Sequence, residues 1–413
     1  MKLVPRGLAV AREAFARLHA WPEPAGNEVV SSAVVAHLCR DIGAMVTTGV
    51  GGHGVVARIG TGKPVVALRA ELDALATSDG AEHLCGHDMH SAAVVGALAA
   101  LQAGEAPRTG TVLAIFQPAE ETGTGAAAMV AAGIDQLVPT PAVLLAQHSS
   151  PLPHDVVAFR PGPITSWNET ASIDLTAPGG HPGLIGSERH ALTVAFSRLV
   201  HAVDPRIGQV TRARLGGSAN NALPNSATVT VDLRAADEPS LTSLRQALGR
   251  LLDDVVVEGV VYSTAATRTF DGANNDPDAA DLLYRAFVEH GRSAVLMPGP
   301  SGTSDDVGVL ANALGAPLCY WFWGVSGSSR MPPEDRAALA AGRAPVSVPA
   351  NHSPLFSASD LSLESGLMNL LIALSAWDSP RTIRGETQTD EPARTPSSPV
   401  ETTEGNDPVR IRA

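Results

Sequence analysis

Cys85-Gly86-His87-Asp88-Met89-His90 places a thiolate and an imidazole two residues apart, a spacing that can pinch a transition metal. Gln117-Pro118-Ala119-Glu120-Glu121, His148 and His352 follow farther along. One soft sulfur, several imidazoles and adjacent carboxylates are the ingredients of a hydrolytic metal site with two ions. In extended backbone, residues i and i+2 point the same way, so Cys85 and His87 are expected to project together from a loop just before a helix. A lone cysteine or histidine is more often structural than a ligand. His37, His53, His154, His201 and His290 lack such company and read as surface or satisfied imidazoles.

Glu120-Glu121 lies just past the apolar run Val112-Leu113-Ala114-Ile115-Phe116. Adjacent carboxylates at a strand end repel each other and are costly to desolvate, so positive charge is expected beside them. Consecutive side chains diverge, which lets one carboxylate bind a metal while the other faces the attacking water as general base. The alternative for the pair is a solvated turn, since Gly123 and Gly125 follow.

These residues need a scaffold. Amphipathic helices are expected over Arg6–His19 and Asn27–Gly43, the second with Asn27 as N-cap. Strands are expected near Gly54–Ile59, Pro64–Arg69, Thr111–Phe116 and Ala142–His148, with small-residue helices over His90–Leu101 and Gly123–Ala132 between them. This alternation predicts an α/β layer with a largely parallel sheet. After Trp167 the pattern changes to alternating strands: Ala171–Ala177, Gly208–Leu215, Ala227–Ala235 and Val255–Thr267, with helices Glu188–Val203 and Pro239–Asp254. That order predicts an α+β open-faced sandwich with one solvated sheet face. From about Asp276 the buried style resumes, through a helix Asp278–His290, a strand Ala316–Trp323 and a helix Ser357–Ala376. The expected organisation is therefore a catalytic domain of residues 1–168 and 276–377, an inserted domain of residues 169–275, and a disordered tail of residues 378–413.

Composition narrows the class. With 413 residues, 44% apolar and 17% charged, the chain can bury two or three cores, and aromatics at 4% leave Val, Leu and Ala to build them. A formal net charge of −13 and the lack of a basic stripe argue against a nucleic-acid partner. No apolar run reaches the length of a membrane span, and Met1–Val10 runs into Arg12 and Glu13 unlike a secretory signal. Three widely spaced cysteines, Cys39, Cys85 and Cys319, argue against a disulfide framework and point to a reducing cytoplasm.

The motifs resemble the metal-dependent amidohydrolases that include aminoacylases, hippurate hydrolases, auxin–amino-acid conjugate hydrolases and glutamate carboxypeptidases, and most of all the hippurate and auxin-conjugate branch. The resemblance runs from about Arg12 to Ala376. Its markers are Leu18-His19 with Pro22-Glu23, Leu68-Arg69-Ala70-Glu71-Leu72-Asp73-Ala74-Leu75, Cys85-Gly86-His87-Asp88, Phe116-Gln117-Pro118-Ala119-Glu120-Glu121, Gly179-Gly180-His181 and Asn351-His352-Ser353-Pro354-Leu355-Phe356.

The resemblance implies a metallopeptidase-like catalytic domain with an inserted lid that in many members forms a homodimer. It places metal ligands on Cys85, His87, Glu121, His148 and His352, the general acid/base on Glu120, and on Asp73 the acid that orients a ligand from behind. His181 matches the lid histidine that polarises the scissile carbonyl, often in the partner's site. Asn221-Ala222-Leu223-Pro224 and Arg234 keep the spacing of a motif that grips a substrate carboxylate. Ser304-Asp305 resembles a loop that lines the pocket. Two divalent ions follow, zinc or manganese first, with cobalt and nickel as further options. The implied reaction is hydrolysis of an N-acyl amino acid or similar small amide. A dipeptidase or carboxypeptidase of the same family, and a non-catalytic binding homologue, are the competing readings. The chain departs from the branch at Glu71, where aspartate is usual, at Ser304-Asp305-Asp306-Val307, and in a Pro- and Ala-rich insertion at about Ser326–Val348; these bear on specificity more than on chemistry.

Overall fold

The structure is a computed structural model that describes residues 4–107, 110–184, 190–216, 221–326, 332–340, 347, 349–356 and 360–378. In chain order it begins with α1 (Pro5–His19), α2 (Val29–Asp41), β1 (Met45–Val50), β2 (Gly54–Gly60), β3 (Val65–Glu71), the hairpin β4 (Leu75–Thr77) and β5 (Gly80–Glu82), and α3 (His87–Gln102). Next come β6 (Thr111–Gln117), α4 (Gly125–Ala131), α5 (Ile134–Leu137), β7 (Val143–Pro153), β8 (Val156–Phe159) and β9 (Gly162–Pro163). A second body is built from β10 (Trp167–Thr176), α6 (Ala191–Ala202), β11 (Gln209–Gly216), β12 (Ser226–Ala235), α7 (Glu238–Val255) and β13 (Val261–Phe270). The chain returns through β14 (Asn274–Asn275), α8 (Pro277–Glu289), β15 (Ser293–Leu296), α9 (Val307–Leu314), β16 (Leu318–Ser326), α10 (Pro333–Ala340) and α11 (Asp360–Ala376).

The large sheet has eight strands in the order β1-β2-β6-β3-β7-β16-β8-β15. Its middle is parallel: β6 with β3, β3 with β7, and β7 with β16; β1–β2, β2–β6 and β16–β8 are antiparallel. Every residue of β3 and β6 is buried, as strands covered on both faces require. The cover on one face is α3, whose Ala and Gly residues let a neighbour approach closely. A Cβ added at Gly7 of α1 would come within 2.7 Å of the Ala100 Cβ, and one at Gly96 within 2.6 Å of the Ala11 Cβ. Larger side chains at either glycine would force α1 off α3.

The second sheet is antiparallel, β11-β12-β10-β13. Ile173, Leu175, Val229, Val231 and Leu233 form a core with Leu192, Ala195 and Leu199 of α6 and Leu241, Leu248 and Leu252 of α7. Both helices lie on this core, as an open-faced sandwich demands. Asp237 caps α7 by accepting from the Ser240 N–H at 2.8 Å.

Two expectations fail on local chemistry. Asn27 does not cap α2: the helix starts at Val29, and the carboxylate of Glu23 takes the orphan N–H groups of Val30 (2.9 Å) and Ser31 (2.8 Å). Val255 does not begin a strand but ends α7, whose last turn buries it, and β13 starts at Val261. Pairing partners, not local pattern, create β1, β8, β15 and the two-residue β9 and β14. The tail beyond Asp378, most of the insertion after Ser326, and residues 185–189 and 357–359 lie outside the described residues. Among the described residues no helix is long and apolar enough to cross a membrane, and Cys39, Cys85 and Cys319 are buried thiols without a disulfide.

Candidate metal centre

Parallel neighbours β3, β6 and β7 open their C-terminal ends on one edge of the sheet, the usual mouth of an α/β site. Asp73 lies just past β3, Glu120 and Glu121 just past β6, and His148 on β7 itself. Cys85 and His87 reach the same edge at the start of α3. The pincer does not come from extended backbone. Gly86 sits between them as N-cap in the left-handed region, φ +83°, and an added Cβ there would meet the Ser149 Oγ at 2.7 Å. Only glycine turns the chain this sharply against β7.

The segment carrying His352 is tied to the same corner. Its N–H donates to the Leu84 carbonyl at 2.8 Å, and the Asn351 amide donates to the carbonyls of Cys85 (3.3 Å) and Ser149 (3.2 Å). His352 has φ +67° and Ala119, beside the glutamate pair, φ +51°. Left-handed backbone at non-glycine residues is strain held by its surroundings, and both cases flank the cluster.

The Cys85 Sγ lies 3.4 Å from the His148 Nε2 and 3.2 Å from the His352 Nε2. The His352 Nε2 is also 3.4 Å from the Glu121 Oε1, while the His87 Nε2 stands 3.8 Å from Glu120 and 4.0 Å from Glu121. Two donor sets share the sulfur: Cys85, His87 and His148, and Cys85, Glu121 and His352. The other ring nitrogens are committed: Nδ1 of His87 contacts the Asp73 carbonyl at 2.9 Å and Nδ1 of His148 the Ser149 carbonyl at 2.8 Å. Those contacts turn each Nε2 toward the cluster. The His87 Nε2 is buried and without a hydrogen-bond partner. Soft sulfur, imidazoles, a carboxylate and that orphan nitrogen fit a divalent ion.

Burial and crowding drive the two glutamates apart. Burial, then Asp305 and Glu121, push the Glu120 carboxyl well above its ordinary range. Burial would raise Glu121 as well, but the hydrogen bond from His352 and the charge of His87 hold it at about 2. Burial likewise opposes the Cys85 thiolate, yet His148 and His87 bring it down to about 6. His352 is raised to about 10 by its contacts with Cys85 and Glu121. The two neighbouring carboxyls are thus pushed in opposite directions.

A buried frame supports this corner. His90 contacts the Glu71 carboxylate through Nδ1 at 2.7 Å and accepts the Ser149 N–H on Nε2 at 3.0 Å, with its ring 4.6 Å from that of His148. Arg69 pairs with Glu71, Asp305 and Asp306, all buried. Asp306 also accepts from the Gln117 amide (2.6 Å) and the Ala126 N–H (3.1 Å). Asp73 accepts the Glu121 N–H at 2.9 Å, fixing the turn that carries the glutamates. Asp305 is thus a buried counter-ion of Arg69, and Ser304 donates to the Ser166 carbonyl at 3.1 Å. His90, Arg69, Asp306 and Glu28 were given no role of their own from sequence. The available signal was Arg69-Ala70-Glu71, two charges inside an otherwise apolar strand.

The remaining expected residues lie elsewhere. His181 and Asn221 are exposed and flank the bridge between Gly180 and Leu223 in the second body; among the described residues neither bonds to the Cys85 cluster. Arg234 donates to Asp232 at 2.5 Å and to the Gly302 carbonyl, so its guanidinium is already engaged.

The chain is 33% identical over 257 residues to IAA-amino acid hydrolase ILR1-like 4 of Arabidopsis thaliana, covering 57% of this chain and 58% of that protein. It thus spans under two thirds of that relative's length. It is 24% identical over 333 residues to the N-acetyl-L-cysteine deacetylase of Bacillus subtilis, covering 75% and 79% of the two chains. The crystal structure of the Bacillus subtilis YXEP protein, described as a dinuclear metal binding peptidase from the M20 family, superposes with a TM-score of 0.68 at 20% identity, over 90% of this chain and 98% of that one. At that identity the superposition shows the shared fold. Residues 67–341 match the sequence profile of peptidase family M20/M25/M40, and the chain belongs to that family.

Proposed function

We propose that the protein hydrolyses the amide bond of N-acyl amino acids or similar small amides with the help of two divalent ions. The observation that carries this reading is the corner where Cys85 meets His148 and His352 beside two glutamates with opposite proton affinities. Cys85, His87 and His148 would hold one ion, and Cys85, Glu121 and His352 the other; zinc or manganese suits the donors best, and cobalt or nickel also suits them. Bound there, the ions supply Lewis acidity to the amide carbonyl and lower the pKa of the attacking water. Glu120 accepts the proton of that water and returns it to the leaving amine nitrogen. Glu121 stays ionised as a ligand. Asp73 holds the His87 ring by its carbonyl and the Glu121 backbone by its carboxylate.

The second body, residues 169–275 of the expected division, serves in this reading as the lid on a catalytic domain of residues 1–168 and 276–377, and as the surface of a homodimer. The exposure of His181 suits a residue that reaches outward to polarise a scissile carbonyl. Arg234, with Asn221, takes the substrate carboxylate by exchanging it for Asp232. Three buried thiols without a disulfide suit a reducing cytoplasm.

The test is a metal-reconstituted sample assayed on acetyl, benzoyl and long-chain acyl amino acids and on dipeptides, with metal content measured alongside. Cleavage of the conjugates supports the reading. Cleavage of dipeptides alone makes the protein a peptidase, and a metal-free sample inert across the panel makes it a binding protein.

A further inference from the structure

The glutamate turn depends on a residue from far upstream. Ala119 is the left-handed pivot between β6 and Glu120, φ +51°. Its carbonyl accepts from the N–H groups of Thr124 (3.2 Å) and Gly125 (3.1 Å), and its own N–H donates to the Glu28 Oε1 at 2.7 Å. Glu28 is fully buried at the N-cap of α2, and the same oxygen accepts from the Gly26 N–H at 2.9 Å. The loop that delivers Glu28 is tied to the other side of the site as well: the Ala74 N–H, next to Asp73, donates to the Glu23 carbonyl at 2.7 Å. One loop, residues 23–28, therefore braces both the Asp73 segment and the glutamate turn.

We propose that Glu28 is a positioning residue for Glu120: its buried carboxyl holds Ala119 in the left-handed conformation from which Glu120 and Glu121 reach the site. An L side chain in that region costs energy, and loss of the bond from the Ala119 N–H frees the turn to relax toward right-handed backbone. The consequence for catalysis rests on the hydrolase reading; the consequence for the turn does not. Burial raises the proton affinity of Glu28 against the pull of its N–H donors, so a neutral amide is a close substitute.

The experiment compares Glu28→Gln, Glu28→Ala, Ala119→Gly and the Glu28→Ala/Ala119→Gly double variant. Hydrogen exchange of the Ala119 amide is followed in metal-free protein, and kcat, KM and zinc affinity on the reconstituted enzyme. Glu28→Ala should speed exchange at Ala119 and lower kcat on the order of 10-fold with KM little changed, as expected for a misplaced catalytic group. Glu28→Gln should keep exchange slow and most of the turnover. Ala119→Gly removes the left-handed penalty and should restore roughly 5-fold in kcat to the Glu28→Ala background. Unchanged exchange at Ala119 in Glu28→Ala, or a double variant no better than Glu28→Ala, overturns the proposal. If wild type cleaves no amide, the hydrolase reading falls while the exchange series still decides whether Glu28 holds the turn.

Discussion

The sulfur of Cys85 lies 3.2 Å from the Nε2 of His352, a residue 267 positions later in the chain. The contact joins the start of α3 to the segment after β16, and it makes the thiolate common to both donor sets. Cys85→Ser keeps the size of the side chain and exchanges a soft anion for a poor hard donor. It should weaken binding of both ions by more than the roughly 10–100-fold typical of losing a residue that merely supports a ligand. Zinc competition against a chelator measures this. Unaltered zinc affinity would remove Cys85 from the ligand set.

Glu120→Gln separates binding from proton transfer. The carboxamide cannot take a proton from water, while Glu121 and the imidazoles are left in place. Turnover should fall by about 10²–10⁴, the usual contribution of a general base, with metal content unchanged. Turnover near wild type would reassign the base. Loss of metal together with turnover would make Glu120 a ligand.

Cys85, His87, Glu120, Glu121, His148 and His352 were legible because each carries a chemically distinctive group at a recognisable spacing, and the structure brings them to one corner. The backbone that aims them was less legible. Gly86 and Ala119 adopt left-handed conformations beside Ser149 and Glu28, both distant in sequence, and the left-handed His352 is tied through its neighbour Asn351 to Cys85 and Ser149, distant as well. Glu23 displaced Asn27 as the cap of α2 for the same reason: the donor geometry is tertiary. The parallel core strands announced themselves as apolar runs, but β1, β8 and β15 exist through pairing, which periodicity does not encode. His181 and Asn221 carry no local signal of what they face, and they stand exposed in the second body.

Arg69 tests the buried frame. It is the shared cation of Glu71, Asp305 and Asp306, with essentially no exposure. Arg69→Met leaves these carboxylates buried without that charge, which should cost about 3–5 kcal/mol of stability in urea unfolding. Arg69→Lys should recover only part, because a point charge cannot reproduce a fork that spans three acids. A loss within about 0.5 kcal/mol, the range of an ordinary surface change, would show that the network contributes nothing to holding Glu71 and Asp306 in place.

His19 supplies a pH dependence through Asp88, the neighbour of His87. Its Nδ1 lies 2.7 Å from Asp88, whose side chain is 2% exposed while that of His19 is 61% exposed. The hydrogen bond that His19 donates to Asp88 raises its imidazole above its ordinary value of 6.5, against the lowering effect of burial. A raised imidazole binds its proton more tightly in the folded state. The stability it contributes is therefore fully present below pH 6.5 and is lost as pH rises through the folded-state value. His19→Gln keeps a hydrogen-bond donor but no charge. The stability difference between wild type and His19→Gln, measured by urea unfolding, should be largest at the acidic end of a series from about pH 5 to 9 and shrink toward the alkaline end. A difference that stays flat across the series would mean that the pair acts as a neutral hydrogen bond, and the His19 ring signal in an NMR titration would then move at or below its ordinary midpoint.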